Sequence, residues 1–482
     1  MSPDLTANDP QTQGISGGPI TRDVTGEEFY STLYAIKESA IEPGVIWTGA
    51  NDGPVHVTRN NGITWTKVTP PSIPPGGRVQ NIDVSRHRKG TAYVAIYRYL
   101  LGDFKPYAYR TTDYGKTWTL LTTGTNGVPD DSPTRVVRED PERQGLLYLG
   151  TDFGFHVSND DGASWMQMQR NLPITPITDI QVHRGDLVLS TMGRGFWILD
   201  DLSPLVQYSD ASLSRKAVLH APRAAIRWRH QAIPAVSGGP EYPGAGATID
   251  YWLGSAPSTA PVLEIRNAAG AVVRTFTTAG AAARVTTEQG MRAPRARASA
   301  ATAITDSVGE NRFTWDLMHA TSPGDRGPMV APGRYTVRLI VGRDTLSQPL
   351  VVQADPRVRV DGITDAVLVA QEAHELAVRA ALADARSVTT RAKDVRMQMQ
   401  SGDAPSMREA EDIVRALETV EGRYQRPMLV AQLEYLYGMT TGADQRVPRD
   451  AANRLVTLKA ELAAITRRLN ALSRPAAAAL VP

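Results

Sequence analysis

The stretch Thr111-Thr112-Asp113-Tyr114-Gly115-Lys116-Thr117-Trp118 occurs three times in the chain in closely related form. The other copies run from Ser158 to Trp165 and from Thr58 to Trp65, and the latter carries Asn in place of Asp. The shared pattern is Ser/Thr-x-Asp/Asn-x-Gly-x-Ser/Thr-Trp, repeated roughly every 50 residues. A repeat of that period predicts a propeller or a solenoid.

The residue types in this pattern predict a tight turn that ends in a packing residue. An Asp or Asn side chain can accept hydrogen bonds from backbone N–H groups a few residues on, and Gly allows a positive φ. Trp is large enough to fill the space between neighbouring sheets. We therefore assign structural roles to nine residues: Asn60, Gly62, Trp65, Asp113, Gly115, Trp118, Asp160, Gly162 and Trp165.

The pattern resembles the Asp-box, or bacterial neuraminidase (BNR) repeat, of sialidases, sortilin-type propellers and xyloglucanases. Together with Asp103–Tyr107 and Gly193–Asp201, it resembles a large bacterial family of sortilin-like proteins grouped loosely with glycosyl hydrolases. The resemblance extends over essentially the whole chain. It implies a secreted or periplasmic protein with further blades upstream, whereas Met192 stands where these relatives carry His.

The composition limits the function classes. The 482 residues carry a formal net charge of +2, which argues against nucleic-acid and membrane-surface partners. The absence of cysteine excludes disulfides, thiolate metal sites and thiol nucleophiles. No metal site or cofactor is expected, because metal-binding motifs such as HExxH are absent. Neither a membrane span nor a signal peptide is predicted, so the localisation stays open.

The expected fold is mainly β with an α-helical part, in three regions. Residues 1–205 are expected to form about four blades of an Asp-box propeller that is truncated at the N-terminus. The stretch Met1–Leu5 resembles the residues that follow a Trp-ended turn, and it is expected to close a small ring against the last blade. The alternative is an open arc with unpaired strand edges.

The remaining two regions differ in periodicity. Residues 206–356 show short strands at the spacing of an immunoglobulin-like β-sandwich, with a mobile insertion at 281–303. Residues 357–482 show helical periodicity and predict an antiparallel helix bundle. Three details of the bundle are expected: a helix that opens at a capping box on Ser406, an inward-facing Tyr424, and a short helix that stops at Gly438.

The loops between the second and third strands of each blade carry the candidate site residues. Asp52, Asp103 and Asp152 are the catalytic candidates, because two carboxylates ~5 to 9.5 Å apart can cleave a glycosidic bond. The same Asp-Gly and Asp-Phe-Gly sequences are also turn formers, which gives these residues a structural alternative. Arg98 and Arg194 are candidate binding residues, although Arg98, like Arg110, is also expected to face solvent from a strand.

Three functions remain open at this point. The leading hypothesis is a non-catalytic binding protein for a carbohydrate or protein ligand. The alternatives are a glycoside hydrolase that uses two of the three aspartates, and one half of a split propeller completed by an upstream partner.

His56 and His156 hold equivalent blade positions and are expected to fill a repeated structural slot.

Overall fold

A computed structural model of the chain describes residues 2–12, 30–209, 214–229, 244–278, 303–320, 327–398, 404–422 and 424–472. The insertion expected at 281–303 lies outside the described residues except for Ala303. The chain forms two compact units, Met1–Ser212 and Leu213–Pro482, and its fold is mixed β/α.

The first unit consists of four antiparallel sheets, each built from one consecutive stretch of chain. Three sheets have four strands in sequence order and the last has three. A short helix, α1 (Ser203–Gln207), follows the last strand. The strands are β1 (Leu33–Glu38), β2 (Ile46–Ala50), β3 (Val55–Thr58) and β4 (Thr66–Lys67); β5 (Arg78–Val84), β6 (Ala92–Tyr97), β7 (Ala108–Thr111) and β8 (Thr119–Leu120); β9 (Thr134–Glu139), β10 (Leu147–Thr151), β11 (Gly154–Ser158) and β12 (Met166–Gln167); and β13 (Ile177–His183), β14 (Asp186–Thr191) and β15 (Phe196–Leu199).

Successive sheets pack face to face in chain order, in a propeller-like arrangement. Each interface has its own apolar core, in which Trp47, Tyr93 and Tyr148 are fully buried. Small residues allow the sheets to approach closely, because a Cβ on Gly49 would lie 2.2 Å from a methyl carbon of Val79. The expected repeat of blades is therefore present as a repeat of packed sheets.

The ring-closing strand expected at the N-terminus is not formed by residues 2–12. This segment has no strand, and its backbone bonds the loop that follows β2 instead. Leu5, in the same segment, is buried. Among the described strands β15 pairs with β14 alone.

The second unit contains two sheets around one core and a group of helices around another. The first sheet has the strand order β16-β18-β21, and the second has the order β17-β23-β22-β19-β20, with β17 and β23 parallel. The immunoglobulin-like topology stays a prediction. The strands are β16 (Ala217–Leu219), β17 (Ala225–Arg227), β18 (Ala247–Leu253), β19 (Val262–Asn267), β20 (Val272–Thr277), β21 (Gly309–Trp315), β22 (Gly333–Val341) and β23 (Asp344–Ala354).

The helices of the second unit include a short helix and four longer ones that share one apolar core. Their bounds are α2 (Pro356–Val360), α3 (Asp365–Gln398), α4 (Ala404–Leu417), α5 (Leu429–Thr441) and α6 (Arg449–Leu472).

Three expected details of the helices are wrong. Ser406 lies inside α4, which already begins at Ala404, so it does not cap that helix. Tyr424 lies beyond the end of α4 and is fully exposed. Gly438 lies within α5, because the burial of Tyr437 and Thr440 on either side outweighs the cost of about 1 kcal/mol that glycine imposes on a helix.

A buried polar cluster joins the helices to the sheets within this unit. Asp444 forms ion pairs with Arg227 and Arg229, each with an N–O distance of 2.6 Å. Glu375 on α3 is fully buried and accepts a hydrogen bond of 3.0 Å from Gln371. Burial raises the pKa of Glu375 to about 7, against the opposing effects of the nearby arginines.

Candidate functional site

The three Trp-ended turns have the same hydrogen bonds. In each turn the first Ser or Thr hydroxyl accepts the glycine N–H at 2.9 Å, and the Asp or Asn Oδ1 accepts the N–H four residues on at 2.9 Å. All three turns join the third and fourth strands of a sheet. The sequence pattern therefore marks one structural unit, repeated three times.

Two of the three tryptophans connect their sheet to the previous one. Trp118 Nε1 donates to the Val68 carbonyl at 2.8 Å, and Trp165 Nε1 donates to the Leu121 carbonyl at 2.9 Å. Trp65 Nε1 is buried without a hydrogen-bond partner among the described residues. Val68 and Leu121 follow the fourth strands of the preceding sheets, and the first sheet has no described sheet before it.

The candidate residues Asp52, Asp103, Asp152 and Arg194 all lie between the second and third strands of their sheets, as expected. Three of these loops hold an aspartate that is bonded within the fold, and the fourth presents the exposed Arg194. The three aspartates have different partners.

Asp52 attaches the N-terminal segment to the first sheet. The side chain is 5% exposed, and its Oδ2 accepts the backbone N–H groups of Ala7 at 2.9 Å and Asn8 at 3.1 Å. The other oxygen, Oδ1, is buried without a hydrogen-bond partner among the described residues. The Asp52 carboxylate therefore binds the N-terminal segment to this loop and does not face an open cleft.

Arg98 and Asp103 form an ion pair in the loop between β6 and β7. Arg98 Nη1 donates to the carbonyls of Pro74, Pro75 and Gly76 at 2.7 to 2.8 Å, and Arg98 Nε donates to Asp103 Oδ2 at 2.7 Å. Burial opposes ionisation of Asp103, but hydrogen bonds from Arg98 and Tyr107 together hold the pKa of this carboxyl below its usual range.

The expectation that Arg98 and Arg110 face solvent is wrong. Arg98 follows β6 at the start of a 3-10 turn and is 8% exposed, because the loop carbonyls around it supply acceptors that replace water. Arg110 on β7 is half-buried and pairs with Asp161 of the next sheet at 2.5 Å. Both arginines hold parts of the fold together.

Asp152 belongs to a third network that the sequence did not reveal. Its Oδ1 pairs with Arg135 on β9, and its Oδ2 accepts the hydroxyl of Tyr97 at 3.1 Å. The Arg135 guanidinium also donates to the Tyr97 hydroxyl at 2.7 Å and lies over that ring, 4.5 Å from its centroid. Burial raises the pKa of Tyr97 to about 12. No sequence motif connects Arg135 with a loop of its own sheet, so only strand pairing could have identified it.

Arg194 lies in the corresponding loop of the last sheet and has no carboxylate partner among the described residues. The residue is exposed, and its backbone carbonyl accepts the indole N–H of Trp197 at 3.0 Å. The two candidate binding residues therefore differ in exposure. Arg194 is exposed, whereas the Arg98 guanidinium forms hydrogen bonds inside the fold.

Exposed apolar side chains lie beside the bonded aspartates and form what we call the apolar loop patch. Tyr99 packs on Tyr97, with ring centroids 5.7 Å apart, and on Phe104, with centroids 5.6 Å apart. Each member is about half exposed or more. The patch consists of Tyr99 (47% exposed), Leu100 (72%), Leu101 (52%), Phe104 (49%) and Phe153 (49%).

His56 and His156 occupy matching positions on β3 and β11, where they pair with Lys67 and Gln167 of the fourth strands. His156 is 2% exposed, and its burial lowers its pKa to about 4. Burial, with a contribution from Lys67, also lowers the pKa of His56. Imidazoles with lowered pKa values at matching strand positions are consistent with the repeated structural role expected for His56 and His156.

Two kinds of feature are absent from the described part of the chain. No three His, Asp or Glu side chains there are grouped so that they could hold a metal ion. No helix there is both long and apolar enough to cross a membrane.

No family model matches the sequence, and no curated protein matches it. Solved structures similar to the chain include β-propeller proteins. One is YCF48 from Cyanidioschyzon merolae, at 19% identity and a TM-score of 0.27, which covers 35% of this chain and 52% of its own. Others are the GH74 enzyme of Niastella koreensis (15% identity, TM-score 0.28, 46% of this chain and 28% of its own) and the GH74 xyloglucanase of Xanthomonas campestris (17%, 0.26, 45% and 28%). The chain therefore spans about half the length of the first and about a quarter of the others.

Proposed function

We propose that the protein is a non-catalytic binding protein that captures its ligand on the apolar loop patch. One observation carries this proposal. Asp103 and Asp152 are each paired with an arginine inside the fold, whereas Phe104 and Phe153, the residues directly after them, expose their rings. The polar side chains of these loops therefore bond within the fold. The surface that the loops offer to a ligand consists of exposed apolar side chains.

The state of the carboxylates argues against the glycoside hydrolase alternative. A general acid for glycosidic cleavage needs a carboxyl with a raised pKa, and the pKa of Asp103 is lowered by its partners. Asp152 is held inside the fold as well, by its ion pair with Arg135 and by the hydroxyl of Tyr97.

The side chains of the patch favour a protein ligand over a carbohydrate. Aromatic rings serve both ligand classes, since Tyr and Phe anchor protein interfaces and also stack on sugars. The exposed aliphatic side chains of Leu100 and Leu101 add surface that is best covered by apolar side chains of a partner. A carbohydrate ligand stays the second possibility within the same function.

The three equivalent Trp-ended turns support a place among the sortilin-like Asp-box propellers. In such folds the loops on the face away from these turns are free to vary, and binding residues concentrate on loops of that kind. The apolar loop patch lies on loops of this class, because each joins the second and third strands of a sheet.

The proposal is tested by binding and turnover measurements on the same preparations. Wild type, a Phe104→Asp/Phe153→Asp double variant and an Ile63→Asp control are screened on a peptide-display library, a glycan array and an oligosaccharide hydrolysis panel. Ile63 is 81% exposed but belongs to a Trp-ended turn. We expect peptide binding that the double variant loses and the control keeps. Hydrolysis by the wild type that Asp103→Asn removes without unfolding would overturn the proposal.

A further inference from the structure

Tyr99, a member of the apolar loop patch, has a backbone that hydrogen bonds hold in place. It begins a 3-10 turn in which the Leu101 N–H donates to the Arg98 carbonyl at 2.8 Å and the Gly102 N–H donates to the Tyr99 carbonyl at 3.0 Å. The Arg98 guanidinium in turn donates to the carbonyls of residues 74–76. The turn that carries Tyr99 is therefore attached to the neighbouring loop.

The Tyr99 ring contacts two other rings. It lies nearly parallel to the Tyr97 ring, with an interplanar angle of 21° and centroids 5.7 Å apart. It meets the Phe104 ring edge-on, at 77° and 5.6 Å. Tyr97 is 6% exposed, so the exposed Tyr99 ring packs on a buried one. Stacked and edge-on pairs are the arrangements that aromatic rings prefer, and these contacts therefore favour one orientation of the Tyr99 ring.

Tyr97 is held by groups of the next sheet. Its hydroxyl donates to Asp152 Oδ2 at 3.1 Å and accepts a hydrogen bond of 2.7 Å from Arg135 Nη2. The Arg135 guanidinium also lies over the Tyr97 ring and pairs with Asp152. Tyr97 is the last residue of β6, whereas Arg135 lies on β9 and Asp152 follows β10. The Tyr97 ring is thus fixed by contacts between two sheets.

The same contacts join the two loops of the patch. Phe153 directly follows Asp152, and Tyr99 and Phe104 lie in the loop that follows Tyr97. The hydrogen bond between Tyr97 and Asp152 therefore connects the loop of Tyr99 with the loop of Phe153. Side chains that are ordered before binding lose less conformational entropy when a ligand covers them.

We propose that Tyr97 and Arg135 are positioning residues that hold the Tyr99 ring as the anchor of the ligand site. The inference rests on the proposed function and identifies the side chain of the patch that contributes most to affinity. A tyrosine ring has few rotatable bonds and covers a large apolar area at low entropic cost. Leu100, which is 72% exposed on the same turn, contributes less because less of its side chain packs against the fold.

The orientation of the Tyr99 ring can be measured without a ligand. Fluorotyrosine is incorporated in place of Tyr99 alone, and its fluorine NMR shift is compared with that of the unfolded protein. We expect a ring-current shift in wild type and in Tyr97→Phe, which keeps the stacked ring, and loss of most of this shift in Tyr97→Leu. A wild-type shift equal to that of the unfolded protein overturns the positioning role, as does a shift that Tyr97→Leu leaves unchanged.

Affinity is measured by fluorescence anisotropy with the peptide that wild type enriches most from the display library. Tyr97→Leu and Tyr99→Ala are each expected to weaken binding roughly tenfold or more, because both remove the oriented ring from the site. Tyr97→Phe is expected to restore the affinity lost in Tyr97→Leu, because its ring can still stack on Tyr99.

The matched control is Tyr148→Leu. Tyr148 is also a buried tyrosine whose hydroxyl donates to an aspartate, Asp140, at 2.8 Å. Its ring also stacks on another ring at 21°, but that ring, Phe155, is buried and lies outside the patch. The control therefore loses the same kinds of contact as Tyr97→Leu and should keep wild-type affinity.

Circular dichroism confirms that each variant is folded, and Arg135→Lys, which lacks the planar guanidinium, replaces Tyr97→Leu if that variant does not fold. Wild-type affinity in the folded Tyr97 or Arg135 variant overturns the proposal, and so do equal losses in that variant and in Tyr148→Leu. A wild type that enriches no peptide contradicts the proposed function and the anchor role together. The fluorine shift then still decides whether Tyr97 positions the Tyr99 ring.

Discussion

Phe155 and Phe196 occupy the same position in successive sheets, but Phe155 is 2% exposed and Phe196 is 80% exposed. The register of the strands shows the equivalence, since Phe155 pairs with Gly150 on β10 and Phe196 pairs with Ser190 on β14. The ring of Phe155 is covered by the core between the third and fourth sheets. The last sheet has the same surface and no described sheet to cover it.

Replacing Arg98 by alanine is expected to destabilise the first unit by about 2 to 3 kcal/mol. The substitution leaves Asp103 without its guanidinium and removes the donor to three loop carbonyls, and a buried charge network broken on one side is costly. Urea denaturation followed by tryptophan fluorescence measures the change. Arg194→Ala, at an exposed position, is the matched control and should stay within about 0.5 kcal/mol of wild type. Equal effects of the two substitutions would show that the hydrogen bonds of Arg98 do not stabilise the first unit.

Trp165→Phe is expected to cost about 1 kcal/mol more than Trp65→Phe. Both substitutions remove the same volume, but only the Trp165 indole donates to a carbonyl of the previous sheet. Its loss removes one of two hydrogen bonds to the Leu121 carbonyl, which Asn126 Nδ2 also donates to at 2.8 Å. The Trp65 indole N–H has no partner among the described residues. Chemical denaturation of both variants checks this, and a larger loss for Trp65 would contradict the linking role of Trp165.

Glu375→Gln is expected to remove a pH dependence of stability in the second unit. The folded-state pKa of about 7 lies above the ordinary value of 4.5, so the folded chain keeps a proton that the unfolded chain releases between these pH values. The stability of wild type therefore falls as pH rises from about 4.5 to 7, by an amount on the order of 3 kcal/mol, and then stays level.

Measuring the free energy of unfolding of both proteins at pH 5 and pH 8 isolates this contribution, because other carboxylates affect both proteins equally. The variant should gain stability relative to wild type at the higher pH. A constant difference between the two proteins would mean that Glu375 titrates normally despite its burial.

Patterns within one repeat predicted the structure well. The Asp or Asn and the Gly of each Trp-ended turn make hydrogen bonds within the turn, because such bonds join residues only a few positions apart. The loop positions of the candidate aspartates followed from the same register.

Contacts between distant residues could not be predicted in this way. Arg98 looked like an exposed strand residue because its acceptors, the carbonyls of residues 74–76, carry no side-chain signal. Arg135 meets Asp152 only because β9 and β10 pair. Gly438 looked like a helix end, and only the tertiary burial of its neighbours carries α5 past it.

The central claim is that the loop aspartates hold the fold of a binding protein, and Asp152→Asn tests it most directly. Thermal unfolding and oligosaccharide turnover are measured on the same samples of wild type and variant. We predict a lower melting temperature for Asp152→Asn, since the Arg135 and Tyr97 partners lose their carboxylate, and no turnover by either protein. Turnover by wild type that disappears in a variant of unchanged melting temperature would contradict the account.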